Sequence, residues 1–332
     1  MNASQQSPPI ADLRGGVVWN DLPGGEVMQD LIEGAHRARV QRFGGARTRA
    51  VSNRRFLEDN MPQYHRNYQH RLKKAWYGLR NCANWLEFHH YYTIDQYRLV
   101  NAILCKNRWM CPFCALRWSD HALASYYAKH KLVQAQYPHL IPAMLMLSVK
   151  PDQRLGRVYA KLEDALRKIT YTMRQAKNRK RKGEFAKIKG LLGNVEVKKS
   201  SKQPDKWYPH FHAVVLLEDY INKPSLDAEW FKKTGDSWIT DLQEIQDPFK
   251  GFLEVMSYSL KSSTMPPKDQ VEAFLTLQGK QTVRASGVYH GVKEPEPALD
   301  SPLEDLPYVK LLYRYSFEAQ GYSLEDHELV ST

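Results

Sequence analysis

Cysteine is scarce in this chain, with four residues in 332. Four cannot staple a fold of this length through disulfides, so the fold must rest on an apolar core. Long apolar runs are missing too. No segment reaches the roughly 20 residues that a membrane-spanning helix needs. The opening stretch MNASQQSPPIADLRGG has neither the basic start nor the apolar centre of a secretory signal. The expectation is an intracellular, cytoplasmic protein with reduced thiols and no membrane partner. No Gly-x4-Gly-Lys-Ser/Thr loop is present, so ATP-driven unwinding is not expected of this chain. Internal repeats are absent.

Acidic residues are also in short supply. Thirty-six Asp and Glu face 48 Lys and Arg, a net charge of +12 that favours a polyanionic partner. A merely basic soluble protein would share that balance. Eight Trp, 19 Tyr and 11 Phe supply flat surfaces on which bases could stack, although most aromatics in any chain are core.

Residues 1–60 are rich in Gly, Pro, Ser, Gln and Arg and read as a largely flexible basic arm, with a short helical pattern only around Val27 to Val40. Tyr64 to Leu99 carries helix-compatible apolar spacing, a Cys-rich knot follows, and a helix is expected over Ser119 to Ala135. After Pro142 the texture changes. Ala143 to Val149 suits a buried strand, and Leu162, Leu166, Ile169 and Met173 form one stripe of a helix over Val158 to Lys180. Leu191 to Lys199 and His212 to Leu217 read as strands joined by the polar turn Ser200 to Asp205. Helices are expected over Leu226 to Leu242 and, opened by Pro248, over Phe249 to Leu260. This order predicts an α+β fold, a mainly antiparallel sheet with covering helices. Residues 293–307 read as an acidic linker to a small C-terminal strand or helix.

Three constellations carry chemistry. Cys82, Cys105, Cys111 and Cys114 lie within 33 residues. A Cys-x2-Cys turn brings two thiolates to one tetrahedral Zn²⁺, and two more close a structural site. Buried free thiols or a redox pair are the alternative. Lys106, Arg108 and Arg117 would favour thiolates, and His89 or His90 could stand in for Cys82. The second constellation is Tyr208-Pro209-His210-Phe211-His212. Strand side chains alternate, so His210 and His212 share a face and can bite one divalent cation. A hairpin would bring Glu196 across from them, and a mixed nitrogen and oxygen set suits Mg²⁺ or Mn²⁺ beside a phosphate. An ordinary solvent-facing Glu196 is the bland alternative. The third is Glu254-Val255-Met256-Ser257-Tyr258-Ser259-Leu260-Lys261, where Glu254, Tyr258 and Lys261 share a helix face. A phenol with a reference pKa of about 10 is a poor nucleophile without help. Lys261 could offset its developing charge and Glu254 could take a proton. A routine wet helix face would look the same. Separately, the run Arg174 to Lys189 includes Arg174, Lys177, Arg179, Lys180, Arg181 and Lys182, a candidate DNA contact or a solvated helix end.

Together these passages resemble the rolling-circle replication initiator (Rep) proteins of small bacterial plasmids, in the HUH endonuclease superfamily. Asn101 to Arg117 resembles the family's Cys-rich segment. Val195-Glu196-Val197 followed by Tyr208 to His212 resembles its metal motif, and Glu254 to Lys261 its Glu-Val-x-Lys-Tyr-x-x-Lys helix. The strand Met144 to Lys150 fits the family's first strand, and Gln281 to Gly287 its distal Arg-Gly segment. Ser257 stands where the family usually has Lys, and Tyr208 where His is common. The resemblance implies an HUH-type catalytic domain over 141–292, preceded by a small helical zinc module over 61–140 and followed by a linker and tail over 293–332. It implies that His210 and His212 bind metal, with Glu196 as a further ligand, that Tyr258 attacks DNA to leave a 5′-phosphotyrosine, and that Glu254 activates water at termination. Implied partners are origin DNA, single-stranded or in a hairpin, and a host helicase and polymerase, with homodimerisation left open. A rolling-circle transposase or phage replication endonuclease would share the chemistry. A zinc-containing nucleic-acid-binding protein without catalysis is the rival of another class.

Overall fold

A computed structural model describes residues 25–177, 182–262, 265–291 and 298–330. It is α+β, with two antiparallel sheets and helices packed against them. The larger sheet is built from β3 (Ile141–Ser148), β4 (Ile188–Glu196), β5 (His210–Leu217), β6 (Thr240–Glu244) and β7 (Val283–Gly287). Its order is β6-β3-β5-β4-β7, every pair antiparallel. Central β5 is buried along its whole length, as an apolar run with neighbours on both sides requires.

Period-two alternation divides this sheet into two faces. Phe211, Ala213, Val215 and Leu217 meet Val158, Leu162, Leu166, Ile169 and Met173 of α4 (Leu155–Lys177), together with Leu226 and Trp230 of α5 (Lys223–Thr234). Val214 and Leu216, with Leu192 of β4, point the other way. There they meet Trp118, Ala122 and Tyr126 of α3 (Pro112–Gln136) and Phe252, Val255 and Met256 of α6 (Pro248–Ser262). Glycine is required at Gly193, where a Cβ would come within 2.5 Å of the His212 carbonyl oxygen and of Phe211. The α4 stripe and the opening of α6 at Pro248 match the expectation. The expected helix over Leu226 to Leu242 does not: it ends at Thr234, capped by left-handed Gly235, and the chain continues as β6. Helix α7 (Pro267–Leu277) follows α6.

The N-terminal half corrects two expectations. Among the described residues, 25–60 are not a flexible arm but one helix, α1 (Gly25–Asn60). Phe43, Ala46, Arg47, Ala50, Asn53 and Leu57 recur at helical spacing, and all are buried. The Gly44-Gly45 pair suggests flexibility, yet it serves close packing: a Cβ at Gly44 would lie 3.3 Å from the Gly321 backbone. Fully buried Arg47 donates to the carbonyls of Leu79 and Arg80 and to Asn84 Oδ1, closing the end of α2 (Arg66–Asn81). The helical reading of Tyr64 to Leu99 also fails beyond Asn81. There β1 (Trp85–Tyr91) and β2 (Gln96–Asn101) form a hairpin.

That hairpin joins β8 (Tyr308–Ser316) and β9 (Gly321–Val330) in a sheet of order β2-β1-β8-β9. The Cys-rich region is therefore not a purely helical module, and 308–330, expected as a small strand or helix, forms two strands. Trp85 pairs with Arg314 across most of the chain, and Phe88, Leu311 and Tyr313 pack on α1 residues in one core. The linker reading changes too. Asp300 accepts from Arg117, Arg39 and the Leu99 amide, which pins this stretch to α3, α1 and β2. No helix among the described residues is long and apolar enough to cross a membrane.

Candidate metal centres and the tyrosine helix

Glu196 ends β4 and His210 opens β5, and the strand register sets them directly opposite one another. His212, two residues on, projects from the same face. Candidate ligand atoms of Glu196, His210 and His212 all lie within 4.8 Å of one another. His212 Nε2 is 3.1 Å from Glu196 Oε2, and the imidazoles stack with centroids 5.8 Å apart. The cluster is almost closed to solvent: Glu196 is 1% exposed and each histidine 5%. Glu196 is thus no solvent-facing strand residue.

Burial pushes the Glu196 carboxyl up, but the His212 hydrogen bond, Lys198 at 3.4 Å and the two imidazoles outweigh it and hold it below the ordinary range. It therefore stays a carboxylate. Its second oxygen, Oε1, is buried with no hydrogen-bond partner among the described residues. A buried carboxylate oxygen in that state is costly, and a divalent cation would satisfy it. Two imidazoles and a carboxylate form a donor set that fits such an ion.

Ser148, Asn194 and Asp241, not singled out from sequence, complete the surroundings together with Tyr208. Ser148 is the register partner of His210 on β3, and Asn194 that of His212 on β4. Tyr208 packs edge-on against His210 at 4.2 Å and donates to Ser148 Oγ, so it braces the strand rather than joining the donor cluster. Asp241 pairs with Met146, itself opposite His212, which puts it on the same sheet face. Cross-strand register was the signal that could have found these residues, and it depends on pairings the local pattern does not specify.

Helix α6 covers this same face. Val214 and Leu216 follow His210 and His212 at even spacing and pack against Val255 and Met256, while Ser119 Oγ donates to the Met256 carbonyl. Glu254 lies on the helix and is exposed, and half-buried Ser257 donates to its carbonyl. Tyr258 and Lys261 belong to the helical span, and their side chains lie outside the described residues.

The four cysteines converge. Sγ–Sγ distances are 3.5 Å for Cys82–Cys114 and 3.6 Å for both Cys105–Cys114 and Cys82–Cys111. No disulfide forms. Four sulfurs at a Zn–S distance of about 2.3 Å define tetrahedron edges of roughly 3.8 Å, so the spacing suits a tetrahedral metal ion. The Cys105 amide donates to Cys82 Sγ at 3.3 Å. Hydrogen bonding to Cys105, then to Cys114 and Cys82, holds Cys111 well below the ordinary thiol range against the effect of burial. Cys105 is raised well above it, first by its hydrogen bond to Cys111, and so is Cys114, first by its hydrogen bond to Cys105. The expected help from Arg108 and Arg117 is not what shifts them. Arg117 is turned to Asp300 at 2.6 Å, and Arg108 lies 4.0 Å over the Trp118 ring. His89 and His90 do not replace Cys82; they pair with Glu87 and Asp95.

Within the basic run, Arg174 is exposed on α4 and Lys182 is exposed beyond it. Arg179, Lys180 and Arg181 lie outside the described residues, as does the side chain of Lys177. Comparison with family models, with curated proteins and with solved structures found no match.

Proposed function

We propose that this chain is a metal-dependent DNA-nicking and strand-transfer enzyme that starts rolling-circle replication of a plasmid, with an HUH-type catalytic domain. One observation carries the reading. Glu196, His210 and His212 form a buried donor cluster on the sheet face over which α6, bearing Glu254 and Tyr258, is packed. The three ligands would hold Mg²⁺ or Mn²⁺, whose charge would polarise a scissile phosphate. The Tyr258 phenol oxygen forms a bond to phosphorus and the bond to the 3′ oxygen breaks. The phenolic proton ends on that oxygen, leaving a 5′-phosphotyrosine and a free 3′-OH. Lys261 offsets charge as the phenolate develops, and exposed Glu254 takes a proton from water at termination. The four-cysteine cluster would hold structural Zn²⁺ and keep the sheet-and-helix module around it folded. Origin DNA is the substrate, and a separate helicase and polymerase supply unwinding and extension.

The test is a covalent adduct. Purified protein, Mn²⁺ and a single-stranded oligonucleotide carrying the nick sequence should yield a protein–DNA species that survives denaturing electrophoresis. Tyr258→Phe should abolish it, and an adduct that persists in this variant removes Tyr258 from the chemistry.

A further inference from the structure

On the opposite face of the sheet, α4 and α5 enclose a groove of about 700 Å³ lined by Arg167, Lys168, Tyr171, Arg174, Lys232 and Lys233, with Glu229 as the one acidic group. That acid is already engaged: Glu229 Oε2 accepts from the Glu184 and Phe185 amides, and Lys233 sits 3.4 Å from its other oxygen. Lys233 is nine-tenths buried and donates to Thr172 Oγ1, so it forms a fixed cationic floor. Lys168 donates to the Lys233 carbonyl, tying the two helices together. Arg174 and Lys232 are exposed among the lining residues and have no ion-pair partner among the described residues. Arg167, Tyr171 and Arg174 are i, i+4 and i+7 on α4, one stripe in which an aromatic ring 46% exposed lies between two guanidiniums. Phe231 of α5 and Trp238 beyond it are also exposed, 42% and 61%, with centroids 6.4 Å apart, but they do not line the groove.

With Arg167 and Lys168 paired to Asp164 and Lys233 to Glu229, Arg174 and Lys232 are the surplus cations; these suit phosphates, but cations alone would suit any polyanion. The exposed ring of Tyr171 narrows the class. Unpaired bases present π-faces to stack on, whereas duplex DNA offers its backbone and groove edges, and an acidic protein offers neither stacked rings nor regular phosphates. We infer that the groove between α4 and α5 is a second nucleic-acid site, which holds a single strand by phosphate contacts to Arg174 and Lys232 and by base stacking on Tyr171. It is remote from the Glu196–His210–His212 cluster and does not rest on the nicking reading, because it needs neither metal nor Tyr258.

The test uses full-length protein, no divalent metal and a fluorescein-labelled oligo(dT), read by anisotropy across a salt series. Each single-strand phosphate contact contributes about 0.7 to the slope of log affinity on log salt. Arg174→Gln with Lys232→Gln should therefore lower the slope by about 1.4 and weaken binding at least about tenfold. Tyr171→Leu should weaken binding on the order of fivefold or more with an unchanged slope, since it removes stacking and no charge. Photocrosslinking of a 5-iodouracil oligonucleotide should place an adduct on Tyr171 in the parent chain. Thermal melting controls for folding, and a double variant that melts early is replaced by the single Lys232→Gln, for which a slope loss of about 0.7 is expected. Parental affinity and slope in a folded charge variant would overturn the site. A duplex of equal length that competes as well as oligo(dT), with Tyr171→Leu unchanged, would overturn the single-strand assignment.

Discussion

Asp300→Asn should destabilise the fold by releasing the 298–307 stretch from α1, α3 and β2. Asp300 Oδ1 lies 2.6 Å from Arg117 Nη2, and Oδ2 lies 3.1 Å from Arg39 Nη2 and 2.8 Å from the Leu99 amide nitrogen. The side chains of Asp300, Arg117 and Arg39 are 18%, 1% and 17% exposed, so solvent screening is limited. Burial pushes the Asp300 carboxyl up, but Arg117 and Arg39 bring it down from 3.8 to about 2. A carboxyl depressed on folding contributes stability above its unfolded pKa and loses it as pH falls through the folded value. Here the full contribution is present above about pH 4 and fades toward pH 2. Nearly two pH units correspond to about 2 kcal/mol. Asn removes the charge, leaves nearly inaccessible Arg117 short of its counter-charge, and should cost at least that much at neutral pH. Urea unfolding of parent and variant, run from neutral pH to about pH 2.5, isolates the term as their difference. The gap should be about 2 kcal/mol or more at pH 7 and shrink below pH 4. Equal stability at pH 7, or a gap that acid leaves constant, would refute the claim that this ion pair clamps the 298–307 stretch to α1, α3 and β2.

Other expectations follow from the two donor clusters. Glu196→Gln keeps the side chain's size and removes its charge, so Mn²⁺ affinity measured by electron paramagnetic resonance titration should fall at least about tenfold; an unchanged affinity would take Glu196 out of the ligand set. Elemental analysis should find one zinc per chain, lost in Cys114→Ser together with much of the thermal stability, because binding energy at a closed structural site is folding energy. A metal-free chain with unchanged melting would rule the site out. Glu254→Ala should still form the Tyr258 adduct yet release product slowly in a single-turnover assay, and unchanged release would refute its role in activating water.

Much of both donor clusters was legible because it is local. Cys-x2-Cys, His-x-His and the apolar stripe of α4 each follow from periods of a few residues, and chain geometry alone puts those side chains together. His210 and His212 had to share a face once β5 was a strand. The buried stripe of α1 obeys the same period, but Gly44, Gly45 and many arginines hid it: Gly44 allows a close approach and Arg47 is buried, roles that composition alone does not reveal.

What tertiary structure decided is which distant segments meet. Local alternation says that Trp85 to Tyr91 and Tyr308 to Ser316 could be strands; it does not say that they pair with each other. Register then set Glu196 against His210, and packing laid α6 on the histidine face and α4 with α5 on the other. A β-strand carries a face for each layer, and each face must be buried by something far along the chain. The sequence by itself therefore determined the side chains and their local spacing. Burial of both sheet faces decided which of them converge.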